Sequence, residues 1–162
     1  MVLKSKVYDQ KIKKVGFWNY KEFYNFCFNW FKSEGYSLAE KEYTEKNPEF
    51  GKEIQLKWEA SKKVTDYFKN VISIDWHILG LNSAEIERAG KKEKTNKGEV
   101  KISLKAELIK DYEENWEKKV FVKMMRGIYD NYIMRRTNDL YEDDLKDDAK
   151  EFISQAKAFL EL

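Results

Sequence analysis

Residues 52–109 alternate with a period of two and not of 3.6. Ile54, Leu56, Trp58 and Ala60 sit two apart, as do Phe68, Asn70, Ile72, Ile74, Trp76 and Ile78. Val100, Ile102, Leu104, Ala106 and Leu108 repeat the pattern. On a strand, side chains two apart share a face, so each run has one apolar and one mostly polar face. Antiparallel sheets with one side buried read this way. The pattern constrains architecture far more than function.

Aromatic-rich helical segments flank this region. Between residues 20 and 33, Lys21, Glu22, Asn25, Asn29 and Lys32 fall in one narrow arc. Phe23, Tyr24, Phe26, Cys27, Phe28, Trp30 and Phe31 cover the rest of the helix. Asn19 is a ready N-cap, and Gly35 can take the left-handed position after the last turn. Asn115 can cap a second helix over about 116–135, apolar around much of its circumference. A third, over about 139–161, carries Leu145, Ala149, Phe152, Ile153, Ala156, Phe159 and Leu160 on one face. That stripe must be buried for the helix to persist, since propensity alone seldom holds a short helix in water.

The strands predicted from alternation and turn residues are 2–13, 36–46, 52–60, 66–79, 83–89 and 99–110. Gly16 breaks the first run. Asn47-Pro48 to Gly51, Ser61 to Val64 and Gly80 to Asn82 supply turns. Gly90 ends the fifth strand, and a Lys-rich loop over 91–98 closes on a hairpin turn at Thr95 to Gly98. The expected fold is therefore α+β and a single domain over 1–162: a curved antiparallel sheet of about six strands. One N-terminal-side helix and two C-terminal helices pack on it. This element order resembles the helix-grip architecture of START and Bet v 1-type proteins, in which a sheet wraps a long C-terminal helix. One helix stands here where that architecture has a pair after the first strand.

Composition narrows the function classes. With 42% hydrophobic and 15% aromatic residues, the chain has apolar mass for a core and is not a disordered segment. The net charge of +2 does not announce a nucleic-acid binder. Basic residues do gather from Arg88 to Lys105 and from Trp116 to Thr137, and acidic ones from Asn138 to Leu162. The basic loop lacks the aromatic residues that single-strand binders interleave with cations. Cys27 is the single cysteine, so no intramolecular disulfide and no Cys-rich metal site can form. The first residues lack a signal-peptide apolar run, and no segment has about 18 uninterrupted apolar residues. A soluble cytoplasmic protein without a membrane span is the expectation.

No catalytic, cofactor or metal motif is present. His77, the only histidine, shares a strand face with Ser73 and Asp75. Parallel side chains on one flat strand cannot make a triad, in which the base bridges nucleophile and acid. Cys27 lies mid-arc on an apolar helix and reads as a buried, inert thiol. Asp143, Asp144, Asp147 and Asp148 read as a solvated helix face; a calcium loop would need glycine and alternating oxygen ligands. The separated glycines form no phosphate loop.

The aromatic surplus leaves two readings. The first is a non-enzymatic binding module with an apolar cleft between sheet and helices for a small hydrophobic ligand. Its candidate lining residues are Trp30, Trp58, Trp76, Trp116 and Tyr129. The alternative is a macromolecular interaction or scaffold protein that offers a helical face, the one over 116–135 first, to a protein partner. Nucleic acid is a weaker version of it.

Overall fold

A computed structural model of the chain describes residues 2–112 and 134–162. The described elements are β1 (Leu3–Trp18), α1 (Tyr20–Ser33), β2 (Ser37–Lys46), β3 (Lys52–Lys63), β4 (Phe68–Arg88), β5 (Lys91–Lys110) and α2 (Met134–Phe159). The strands form one open sheet in the order β1-β5-β4-β3-β2, antiparallel throughout. The fold is α+β, with five strands in place of the expected six. The predicted helix over 116–135, with Trp116 and Tyr129, lies outside the described residues apart from its last two positions. Those two already belong to α2, which starts ahead of the expected Asp139.

The strand count differs because one turn is a bulge. Gly80 and Leu81 do not reverse the chain. They oppose the single residue Gly98, between the pairs Leu79↔Glu99 and Asn82↔Lys97. Two residues against one is a β-bulge, which bends a strand without ending it. Predicted strands 66–79 and 83–89 are thus the two halves of β4. Gly98 lies mid-strand and not in a turn, because a Cβ there would come within 3.1 Å of the Leu79 and Gly80 carbonyl oxygens.

The expected Lys-rich loop 91–98 is the first half of β5, paired with 82–88. The hairpin turn sits at Ala89 and Gly90, where Arg88 pairs with Lys91. Both turn residues have positive φ, 51° and 76°, as a two-residue type I′ turn requires. The first strand likewise runs through Gly16 to Trp18, pairing with 96–98. The expected turn at Ser61 to Val64 falls slightly later, with Thr65 Oγ1 accepting from the Tyr67 and Phe68 amides.

Both helices pack on the apolar face. In α1 the buried residues are Phe23, Cys27, Trp30 and Phe31, the i, i+4, i+7, i+8 stripe of a helix that covers one surface. Asn19 Oδ1 caps it by accepting from the Glu22 amide, and Gly35 takes φ 86° beyond its end. In α2, Leu145, Ala149, Phe152, Ile153, Ala156 and Leu160 are buried. The helices meet through Phe31 and Phe152, with ring centroids 4.7 Å apart, and through Phe26 and Phe159 at 5.1 Å. Beneath them lie Leu56, Ile72, Ile74, Ile78, Ile102, Leu104 and Leu108, all fully buried. At about 1.5–3 kcal/mol per large side chain, this burial dominates the stability of the described fold.

The opposite face is polar. His77 Nε2 lies 3.1 Å from Glu53 Oε1 on the neighbouring strand. Glu99 takes both Lys13 and Lys101 at 3.4 Å. Such exposed pairs are screened by solvent and contribute little to stability.

Candidate functional site

A cleft of about 470 Å³ opens where the sheet meets the start of α1. Its apolar wall is Tyr20, Tyr43, Ile54 and Leu81, and its polar side includes Asn82, Ser83 and Asn96. The β4 bulge places this wall, by carrying Leu81 and Asn82 past the register of β5. Asn82 is fixed there because its Nδ2 donates to the Phe50 and Gly80 carbonyls. Asn96 Oδ1 accepts from the Tyr20 amide at 3.1 Å, which ties β5 to the first residue of α1. The Tyr43 hydroxyl donates to Glu45 at 2.9 Å, and Glu45 also meets Lys52 at 3.2 Å. These contacts hold both tyrosines and both amides in place before any ligand arrives.

Electrostatics keep the tyrosines protonated. The Tyr20 phenol is pushed well above its ordinary value, first by burial and then by the neighbouring Tyr43, Tyr24 and Glu40. Tyr43 is raised too, chiefly by burial and its bond to Glu45. Both therefore act as neutral hydrogen-bonding groups near neutral pH.

Of the residues named from the sequence, Trp58 and Trp76 come together, with ring centroids 5.0 Å apart. Each is only 2% exposed. They stand behind the cleft wall and not on it. Tyr20 packs on Tyr24 at 6.1 Å, and Tyr24 packs edge-on against Trp58 at 5.0 Å. Trp30 lies elsewhere, among Phe31 and Phe152 under α2. Trp116 and Tyr129 lie outside the described residues.

Sequence reasoning missed the cleft residues Tyr20, Tyr43, Asn82 and Asn96. Asn96 lies in the stretch whose residues predict a turn, and the structure has it in β5. The signal that could have found them is the bulge: a glycine facing a Gly-Leu-Asn step on alternating strands.

Other clefts open among the described residues. One of about 380 Å³ lies between the β4–β5 arm, the end of α2 and the start of α1, with Trp18, Ile86, Phe159 and Leu160 among its walls. Another, of about 300 Å³, runs between α2 and the starts of β3's exit loop and β4.

Cys27 is fully buried, and burial raises its thiol well above the usual range. Ser73, Asp75 and His77 lie on the face away from the helices, and the partner that His77 makes there is Glu53. No group of three His, Cys, Asp or Glu residues that could hold a metal occurs among the described residues. No described helix is long and apolar enough to cross a membrane. The chain matches no protein-family model, no curated protein and no solved structure.

Proposed function

We propose that this protein is a non-enzymatic binding module whose site is the cleft between the open end of the sheet and the start of α1. The ligand class is a small molecule with a hydrophobic, preferably aromatic, body and a polar edge. The observation that carries this reading is the cleft's construction. Tyr20, Tyr43, Ile54 and Leu81 offer an apolar wall beside the anchored amides of Asn82 and Asn96. Small-molecule sites set fixed polar groups beside apolar side chains; here the polar share is the larger, with Glu45, Glu49 and Lys52 also on the lining. Because the two amides are already bonded to the backbone, little ordering cost falls on binding. Trp58 and Trp76 serve as the rigid second layer behind Tyr24.

N-phenylnaphthylamine, a neutral aromatic whose fluorescence rises in apolar sites, tests this directly. Saturable enhancement is expected, and Ser83→Trp should abolish it by filling the cleft while leaving the melting temperature unchanged. Enhancement that survives Ser83→Trp, or no enhancement at all, refutes the reading.

A second reading has its own observation. Val15 is 66% exposed and Phe17 49% exposed, and among the described residues both lie on the face of β1 turned away from the helices, at the sheet's edge. Exposed apolar residues on an edge strand suit a protein partner that adds to the sheet. If light scattering shows self-association or a bound partner that Val15→Lys removes, the interaction-protein reading prevails.

A further inference from the structure

The sheet ends at β1 in a long edge of nearly one charge sign. From Tyr8 to Trp18 the register of β1 with β5 is unbroken. Among the described residues no strand pairs with its other side, which therefore presents backbone N–H and C=O groups to a further strand. Ile12 and Trp18 are buried toward the core. Alternation then puts Lys11, Lys13, Val15 and Phe17 on the opposite face, and all four are exposed. The strand carries Lys4, Lys6, Lys11, Lys13 and Lys14 against Asp9.

Much of that charge is uncommitted. Lys6 meets Asp9, and Lys13 shares Glu99 with Lys101. Lys4, Lys11 and Lys14 make no ion pair among the described residues. Lys97 Nζ lies 5.6 Å from the Phe17 ring centre, so positive charge continues to the apolar end of the strand. Lysine on an edge guards against strand addition, but a guard of one sign is selective. It repels cationic strands and attracts anionic ones. The opposite edge, β2, mixes its signs, with Glu40, Glu42 and Glu45 beside Lys41 and Lys46. A nucleic-acid strand fits the β1 face less well. It would meet Asp9, Glu99 and Glu107 there, and Phe17 is the one exposed ring of β1 and β5, whereas single-strand binders stack successive bases.

We propose that β1 receives an extended acidic segment of a protein partner. The segment runs antiparallel to β1, the more stable pairing per residue. Side chains two apart on it share a face, so its outer row sets two apolar groups beside Phe17 and Val15, then carboxylates beside Lys13 and Lys11. The proposal rests on the second reading above, that a partner adds to the sheet here, and is independent of the cleft at the start of α1.

Titration of the full chain with the capped peptide Phe-Thr-Val-Thr-Glu-Thr-Glu, followed by NMR of the β1 amides, tests the proposal. Saturable shifts and slowed amide exchange along Lys11–Phe17 are expected. The analogue with glutamine for both glutamates should bind about fivefold more weakly, and Lys11→Glu, at an exposed position, should weaken the acidic peptide by about threefold or more. The mirror-image peptide, with the same charge but unable to form the same ladder, should leave the exchange unchanged. Equal binding of the glutamine analogue overturns the acidic partner while leaving strand addition standing. No binding by either peptide, or equal effects from the mirror-image peptide, overturns both. The proposal also falls if β1 is protected in the chain alone in a concentration-dependent way, which makes a second copy the occupant, or if oligothymidylate binds β1 more tightly than the peptide.

Discussion

Ala89 occupies a position that an L-residue with a Cβ fills at a cost. Its φ of 51° is left-handed, and that conformation costs about 1–2 kcal/mol outside glycine and asparagine. Ala89→Asn should therefore stabilise the protein by about 0.5–1 kcal/mol, since Asn-Gly is the preferred pair for this turn. Chemical denaturation would show it, and an unchanged or lower midpoint would mean that the turn geometry is wrong. Trp76 is the opposite case. It is buried between Trp58 and Phe23, so Trp76→Ala should cost about 3–5 kcal/mol through the cavity left behind. The place of Trp76 was legible in the sequence because alternation alone sets the face of a strand residue. The turn at Ala89 was not, because alanine is no turn signal and a bare Gly90 fits several turns. Asn70 was legible only in part. The alternation placed it among isoleucines, yet nothing local could reveal that its Nδ2 donates to the Tyr36 hydroxyl, which itself donates to Asp148 on α2.

At the scale of elements, strands were easier to read than their ends. The inner faces of β3, of β4 up to its bulge and of the second half of β5 follow the alternation, with Val71 buried out of step. Their boundaries slipped wherever a glycine served close packing and not reversal, as Gly98 does opposite the β4 bulge. The cleft at the start of α1 was hidden for the same reason, because the bulge that builds it looks like a turn. The α2 stripe was plainer. Phe152, Ile153, Ala156 and Leu160 all come to rest in the core, and Ser5 Oγ bonds Glu142 from the sheet side at 2.8 Å. Burial of the three large side chains contributes roughly 1.5–3 kcal/mol each. That is comparable with the whole stability of an ordinary domain, about 5–15 kcal/mol. Removing residues 150–162 should thus unfold the domain or lower its melting temperature sharply, as calorimetry would record. A truncated chain that melts like the parent would show that α2 is dispensable.

Across the whole molecule, the helices and sheet are joined by hydrocarbon and by a few buried phenols, and the phenols make stability depend on alkaline pH. Tyr36 is held well above its ordinary value of 10.0, first by burial, then by the charge of Asp148 and the bond to it. Tyr20 shifts the same way, mainly through burial. In the unfolded chain both phenols ionise near the ordinary value; in the folded protein they keep their protons. Above that value the unfolded state binds fewer protons than the native one, so unfolding becomes easier as pH rises. The contribution is fully present below pH 10 and is lost progressively above it. Its slope is at most about 1.4 kcal/mol per pH unit for Tyr36, and less for the partly exposed Tyr20. Urea unfolding followed from pH 9 to pH 12 should therefore show falling stability. Tyr36→Phe should start lower, having lost the bond to Asp148, but decline less steeply. Equal slopes for parent and variant would mean that Tyr36 ionises as readily folded as unfolded, and that the chain from Asn70 to Asp148 does not hold its proton.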